Sequence, residues 1–139
     1  MNTGRTDPPV AVVIDASAGV ELVADTSRGR MLRRLLPPNP VPWVPDLFYG
    51  ECGGVLRKWD LNGIVSPERM GKAIADLTAW PLRMVQTAGL WTDAWRLRRN
   101  FTFADAVYVA LAAHLGADIL TDDAKLANAP TLPVRALHL

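Results

Sequence analysis

The stretch Phe101–Leu126, FTFADAVYVALAAHLGADILTDDAKL, decides how the rest of the chain is read. Ala104, Val107, Tyr108, Leu111, Ala112 and Leu115 recur at helical spacing, and Ala106, Val109, Ala110 and Ala113 fill the opposite side. A helix apolar all round has to be sheathed by protein. Asp105 therefore stands in the first turn of a largely buried helix. Gly116 suits a left-handed helix end, and Ala117 to Thr121 reads as a short strand with Asp122 and Asp123 directly after it. Carboxylates beside a dry core repel one another and are costly to ionise, so one protonates or the group gathers a cation. The structural alternative is capping: Asp105 accepting N–H bonds at the start of its helix, and Thr121 or Asp122 doing so for a helix beginning near Asp123.

Working outward, the 139 residues suit one domain, and their 50% hydrophobic content supports a compact core. A formal net charge of +1 gives no global attraction to nucleic acid or to an anionic membrane, so any polyanion contact must be a local patch. Cys52 is the single cysteine, which excludes an intrachain disulfide framework and a multi-cysteine zinc site. No apolar run has the length of a membrane span and the N-terminus lacks a signal-peptide pattern, so a cytoplasmic protein with no membrane role is expected.

Residues 1–9 end in Pro8-Pro9 and read as a flexible arm ahead of a domain over 10–139. Val10 to Ile14 is an uninterrupted β-branched run, the pattern of a central parallel strand, and Asp15 follows it at once. Ligands of open α/β sheets collect beyond the carboxyl ends of strands, where Asp15, Asp122 and Asp123 would all lie. Asp15 could equally cap the helix over Ala16 to Ala24, from which Ser17 could hydrogen-bond a neighbouring carboxylate. Arg28, Arg30, Arg33 and Arg34 surround a second amphipathic helix, whose basic face is read first as solvated surface. The run Pro37 to Pro45, PPNPVPWVP, predicts a loop with at most a short strand at Val41 to Val44, since proline removes ladder donors.

A helix starts near Asp46, with Phe48, Cys52, Val55, Leu56 and Trp59 as its apolar stripe and Glu51 beside that stripe. Glu51 is either a partly inward-facing acid or a rim residue paired with Arg57 or Lys58. Gly50, Gly53 and Gly54 weaken this helix, which predicts close packing against them. Ser66-Pro67 starts a helix ending near Ala79, Leu82 to Val85 is a candidate strand, and a helix around Leu90 to Leu97 ends in Arg96, Arg98 and Arg99. Those arginines complement the helix dipole and could also meet phosphate. Pro133 to Leu137 closes the chain as an edge strand. The five tryptophans show no base-stacking pattern and are read as core or partner-facing. His114 and His138 lack metal-ligand spacing.

Four positions thus stand out: Asp15, Glu51, Asp105, and Asp122 or Asp123. All-oxygen ligands of this kind suit Mg²⁺ or Mn²⁺. In VVIDAS with Asp15, ECGGVL with Glu51, FADAVYVALAAHLGA with Asp105 and LTDDAKL with Asp123, the chain resembles the PIN-domain ribonucleases, and among them the VapC-type toxins. In LTDDAKL the family's T-x-D-x-x-L pattern falls on Thr121, Asp123 and Leu126, giving Thr121 a supporting role. Asp122 is an extra acid that would replace or supplement Asp123, and Gly53-Gly54 departs from the small residue and asparagine that often follow the glutamate.

The resemblance implies a three-layer α/β/α sandwich with a small, mostly parallel sheet. It implies RNA cleavage with Mg²⁺ or Mn²⁺ held by Asp15, Glu51, Asp105 and Asp123. It also implies a cognate antitoxin that blocks the site, and a homodimer. Two other classes compete. A phosphoacceptor receiver domain needs paired acids after its first strand and an acceptor Asp after its third, and neither is present here. A PIN-like module that only binds a partner would keep the same acids as caps and surface charges.

Overall fold

The computed structural model describes residues 7–139. Its centre is a five-stranded, all-parallel sheet in the order β3-β2-β1-β4-β5, with β1 Val10–Ile14, β2 Pro40–Pro45, β3 Arg83–Val85, β4 Asp118–Leu120 and β5 Ala136–Leu137. Helices α1 (Ala16–Val23), α2 (Ser27–Arg33), α3 (Leu47–Leu61) and α4 (Pro67–Ala79) pack among themselves. Helices α5 (Thr87–Arg96) and α6 (Phe103–Leu115) pair with each other, and α6 lies against β1, β2 and β4. This is the expected three-layer arrangement, completed by the short α7 (Ala124–Ala127). The first six residues of the expected N-terminal arm lie outside the described residues; of the remainder, the Asp7 carbonyl accepts a bond from Asn39 Nδ2 at 2.9 Å.

Burial follows the sequence pattern closely. Val12, Val13 and Ile14 are buried, as are all residues from Ala106 to Ala112 in α6. Gly116 ends α6 at φ 61°, the left-handed conformation that glycine adopts without steric penalty. The sheet order also fixes where chemistry can occur. From β1 the chain builds outward through β2 and β3, then crosses to the other side of β1 for β4, so the crevice beyond the carboxyl ends of β1 and β4 is the topological switch point. Ile14 is in register with Leu120, and the Asp15 N–H donates to the Leu120 carbonyl at 3.1 Å.

Two expectations need correction. The proline-rich run is a loop only over 37–39: β2 spans Pro40–Pro45, one residue beyond the expected strand at each end, and lies between β1 and β3. The prolines are tolerated because their missing N–H groups face no ladder acceptor. Val10 N–H bonds Asn39 O and Asp46 N–H bonds Val85 O, so odd-numbered backbone groups of this stretch face β1 and even-numbered ones face β3. Pro40 and Pro42 point toward β3 before it begins at Arg83, and Pro45 points toward β1 beyond its last pair, Val13 with Trp43.

The second correction concerns the glycines of α3. Nothing lies within 4 Å of a Cβ built at Gly50, Gly53 or Gly54. Close approach occurs instead at Gly19, where a Cβ would sit 2.6 Å from the Phe48 ring, and at Gly29, where it would sit 2.0 Å from the Glu21 carbonyl oxygen.

These glycines predict opposite signs for one substitution. Gly29→Ala forces α2 away from backbone of α1 and is expected to destabilise by roughly 1–3 kcal/mol, the range for overpacking. Gly53→Ala meets open space on a helix and is expected to stabilise by up to about 1 kcal/mol. Urea denaturation midpoints measure both; a Gly29→Ala variant as stable as the parent contradicts the packing account.

Candidate active site

Asp15 anchors the site. It is 5% exposed, and both its oxygens are engaged by hydroxyl groups. Ser17 Oγ donates to Oδ1 at 2.6 Å and Thr121 Oγ1 donates to Oδ2 at 2.5 Å. Oδ1 also accepts the Ala18 N–H at 3.1 Å, so Asp15 caps α1 while facing the crevice. The two hydroxyls are in turn fixed by backbone: Asp122 N–H donates to Ser17 Oγ at 2.8 Å and Asp123 N–H to Thr121 Oγ1 at 3.0 Å. Burial, with a smaller contribution from the Asp105 charge, pushes the Asp15 carboxyl up to about 6 against the lowering effect of these bonds.

Asp105 is the acid that the others share. Its helix is capped by Thr102, whose Oγ1 accepts the Asp105 N–H at 3.2 Å, so Asp105 is relieved of the capping role the sequence allowed it. The Asp105 carboxyl is raised by partial burial, against a lowering hydrogen bond with Thr102; the Asp123 charge raises it and the Lys125 charge lowers it. Glu51, also half-buried, is raised first by desolvation and then by Asp105, and Tyr108 Oη donates to its Oε1 at 2.6 Å. No ion pair to Arg57 or Lys58 forms among the described residues. Asp123 caps α7, its Oδ1 accepting N–H groups of Lys125 at 2.9 Å and Leu126 at 3.4 Å.

Repulsion from Asp105 or upon it thus links Asp15, Glu51 and Asp123, whereas the extra acid Asp122 turns elsewhere. Asp122 Oδ1 lies 2.6 Å from Arg28 Nη2, and Arg28 Nε bridges both carboxylate oxygens at 3.0 and 3.1 Å. Among the described residues no three acidic, imidazole or thiol side chains converge into a ready-made metal cage. Cys52 is buried with its thiol pushed up to about 12, so it carries no nucleophile.

Tyr108, Thr102 and Arg28 escaped the sequence reading of the site. Tyr108 sits one turn after Asp105 inside a buried helix, and a buried phenol needs a partner, which was the available signal. Thr102 stands three residues before Asp105, the spacing of an N-cap to the N–H it receives. Arg28 carried no local signal, since its partner lies 94 residues away.

This geometry can be set beside known proteins. The family model described as "PIN domain" matches residues 12–132. Ribonuclease VapC1 of Mycobacterium tuberculosis is 38% identical over 125 residues, covering 87% of this chain and 92% of the relative. Among solved structures, the sarcin–ricin loop-cleaving toxin VapC20 of Mycobacterium tuberculosis superposes with a TM-score of 0.62 at 21% identity, covering 89% of this chain and 98% of that one. A toxin–antitoxin complex from Klebsiella pneumoniae gives a TM-score of 0.61 at 11% identity over 86% of this chain and 92% of that one. These two structures speak to the fold alone, while the matched family model and the curated relative, each spanning most of the sequence, establish that this chain belongs to the PIN-domain family, with the VapC ribonucleases as its relatives.

Proposed function

We propose that this chain is a divalent-metal-dependent endoribonuclease, the toxin of a type II toxin–antitoxin pair, working through Asp15, Glu51, Asp105 and Asp123. The observation that carries the reading is the hydrogen-bonded linkage of Asp15, through Ser17 and Thr121, to the turn bearing Asp123 at the switch point of the sheet, with the Asp105 charge acting on Asp15 and Glu51, in a chain whose relatives are named ribonucleases. Such a set is unfavourable by itself and favourable around a cation. The spaced donors suit Mg²⁺ or Mn²⁺: Mg²⁺ keeps several waters and takes only one or two carboxylates directly, together with substrate phosphate oxygens. A structural zinc site would need a closed set of four ligands.

Asp15, Asp105 and Asp123 are the proposed ligands, direct or through water. When bound, the cation supplies charge neutralisation at phosphate and a lowered pKa for water. The chain's own residues do the rest. Ser17 and Thr121 hold the Asp15 carboxylate in one orientation, and Tyr108 holds Glu51 so that it either ligates or orients the attacking water. Asp122, neutralised by Arg28, stays in a supporting position beside this set. The Klebsiella pneumoniae assembly supports a cognate antitoxin as protein partner. A homodimer and a cytoplasmic RNA substrate follow from the VapC resemblance; no described helix is long and apolar enough to cross a membrane.

Replacing Asp105 by Asn removes a charge at nearly constant volume. Asp105→Asn is expected to abolish cleavage of a structured RNA in Mg²⁺ or Mn²⁺ while melting as cooperatively as the parent. Cleavage near the parental rate in that variant refutes the site. Tight antitoxin binding by a parent protein that never cuts would instead favour the partner-binding module.

A pH dependence follows from Asp15. Its folded pKa of about 6 lies above the ordinary 3.8 of an aspartate, so the contribution to stability is complete below about pH 4 and is lost as pH rises through about 6. Divalent binding requires the ionised form, so added Mg²⁺ or Mn²⁺ should raise the melting temperature more at pH 8 than at pH 5. An ion-induced shift that is equal at both values, measured by scanning calorimetry, contradicts the assignment of Asp15 as a ligand.

A further inference from the structure

Beside the acid set lies a groove of about 730 Å³ whose lining includes Asp105, Thr102, Arg98, Arg99, Lys125 and Asn128. Its cations are not spoken for. Arg96, one turn away, pairs with Asp93 at 3.1 Å, whereas none of Arg98, Arg99 and Lys125 lies in ion-pair contact with a carboxylate among the described residues. Three unpaired cations thus line a cavity that contains a single acid, Asp105, of the candidate active site.

One of these cations is held in place by an unusual support. Trp91 and Trp95 project from α5, each 47% exposed, and stack with ring centroids 5.3 Å apart and 21° between planes. Phe103, two residues before Asp105, packs on Trp91 at 5.0 Å, and the Arg98 guanidinium lies over the Trp95 ring at 4.8 Å. The result is a column, Phe103–Trp91–Trp95–Arg98, rooted at the first turn of α6 and ending in a charge. Arg98 Nη1 also donates to the Trp95 carbonyl at 3.0 Å. Stacking and one hydrogen bond restrict a side chain that otherwise loses much rotamer entropy when it is ordered. The two tryptophans contact each other, Phe103 and Arg98, so the column serves as a brace for the arginine.

We infer that this groove carries the phosphate backbone of the RNA strand next to the bond being cut, with Arg98 as the substrate-positioning residue that sets the strand's register against Asp105. The inference rests on the ribonuclease reading for its substrate and adds the path that substrate takes. An arginine already stacked and aimed contacts phosphate with less ordering than a free surface lysine, and its fork suits two phosphate oxygens. Arg99 and Lys125 add charge along the same wall.

The test measures binding separately from cutting. In full-length protein carrying Asp105→Asn, a short fluorescein-labelled single-stranded RNA is titrated by anisotropy over a salt series. Adding Arg98→Ala should raise Kd about fivefold at low salt and flatten the slope of log Kd against log salt by about 0.7, the loss of one phosphate contact on a single strand. Arg98→Lys should keep the slope and still weaken binding, because the charge survives and the stack does not; Trp95→Leu should weaken binding in the same direction. In the parent background the Arg98→Ala loss should fall on KM more than on kcat.

Circular dichroism and melting of each variant check the fold. Unchanged Kd and slope in both Arg98→Ala and Arg99→Ala overturn the inference even if the parent cuts RNA efficiently. Conversely, a parent that cuts nothing while these arginines still govern RNA binding sinks the nuclease reading and upholds the groove. Loss of antitoxin binding without any change toward RNA would assign the surface to a protein partner and overturn the inference as well.

Discussion

The arrangement depends on one desolvated carboxylate. Asp15 follows the central strand in a position where water is nearly excluded, and the fold offsets that cost with two hydroxyls. Ser17 comes from the helix that Asp15 itself caps, and Thr121 from the end of the neighbouring strand β4. The same two hydroxyls accept the N–H groups of Asp122 and Asp123, so Asp15 organises the turn that carries the later acids. Because β1 and β4 are parallel and in register, that linkage is a consequence of the sheet and not of loop accident.

Capping and acid chemistry, which the sequence presents as rival explanations, coexist here. Asp15 and Asp123 are both N-caps. Asp123 satisfies two backbone N–H groups through Oδ1 alone, and its Oδ2 has no bond among the described residues. A capping aspartate is pinned at the start of a helix, with its carboxylate directed toward the free N–H groups of the first turn. Asp105 differs because Thr102 performs the capping, so its carboxylate is not spent on the free N–H groups of its helix.

What could be read from the chain follows from the range of the forces involved. Val10 to Ile14, the α6 pattern and the strand before Thr121 are local apolar signals, and each yields its element almost to the residue. The three-layer sheet and the meeting of Asp15 with Thr121 follow from those elements plus parallel pairing. The prolines of β2 misled because their tolerance depends on where β1 stops and β3 starts, information absent from the run itself. Glycine misled likewise: Gly53 and Gly54 look constrained and face open space, while Gly19 is pressed against Phe48, which arrives from a helix 29 positions later in sequence. Propensity is local, but a close approach is a property of two elements.

Asp122 shows how charge balance resolves an ambiguity that residue type cannot. Adjacent aspartates after a strand point in different directions, and the backbone bonds to Ser17 and Thr121 fix which does which. A further unpaired carboxylate beside Asp15, Asp105 and Asp123 would add to a repulsion that already supplements burial in raising two of those groups. Arg28 removes that charge from the set through three contacts of 2.6 to 3.1 Å, half in solvent, from a helix whose other arginines are occupied with backbone carbonyls. The basic face of α2 stays in solvent, as its pattern implies, while Arg30 and Arg33 also bond carbonyls at the end of α1 and Arg28 neutralises Asp122.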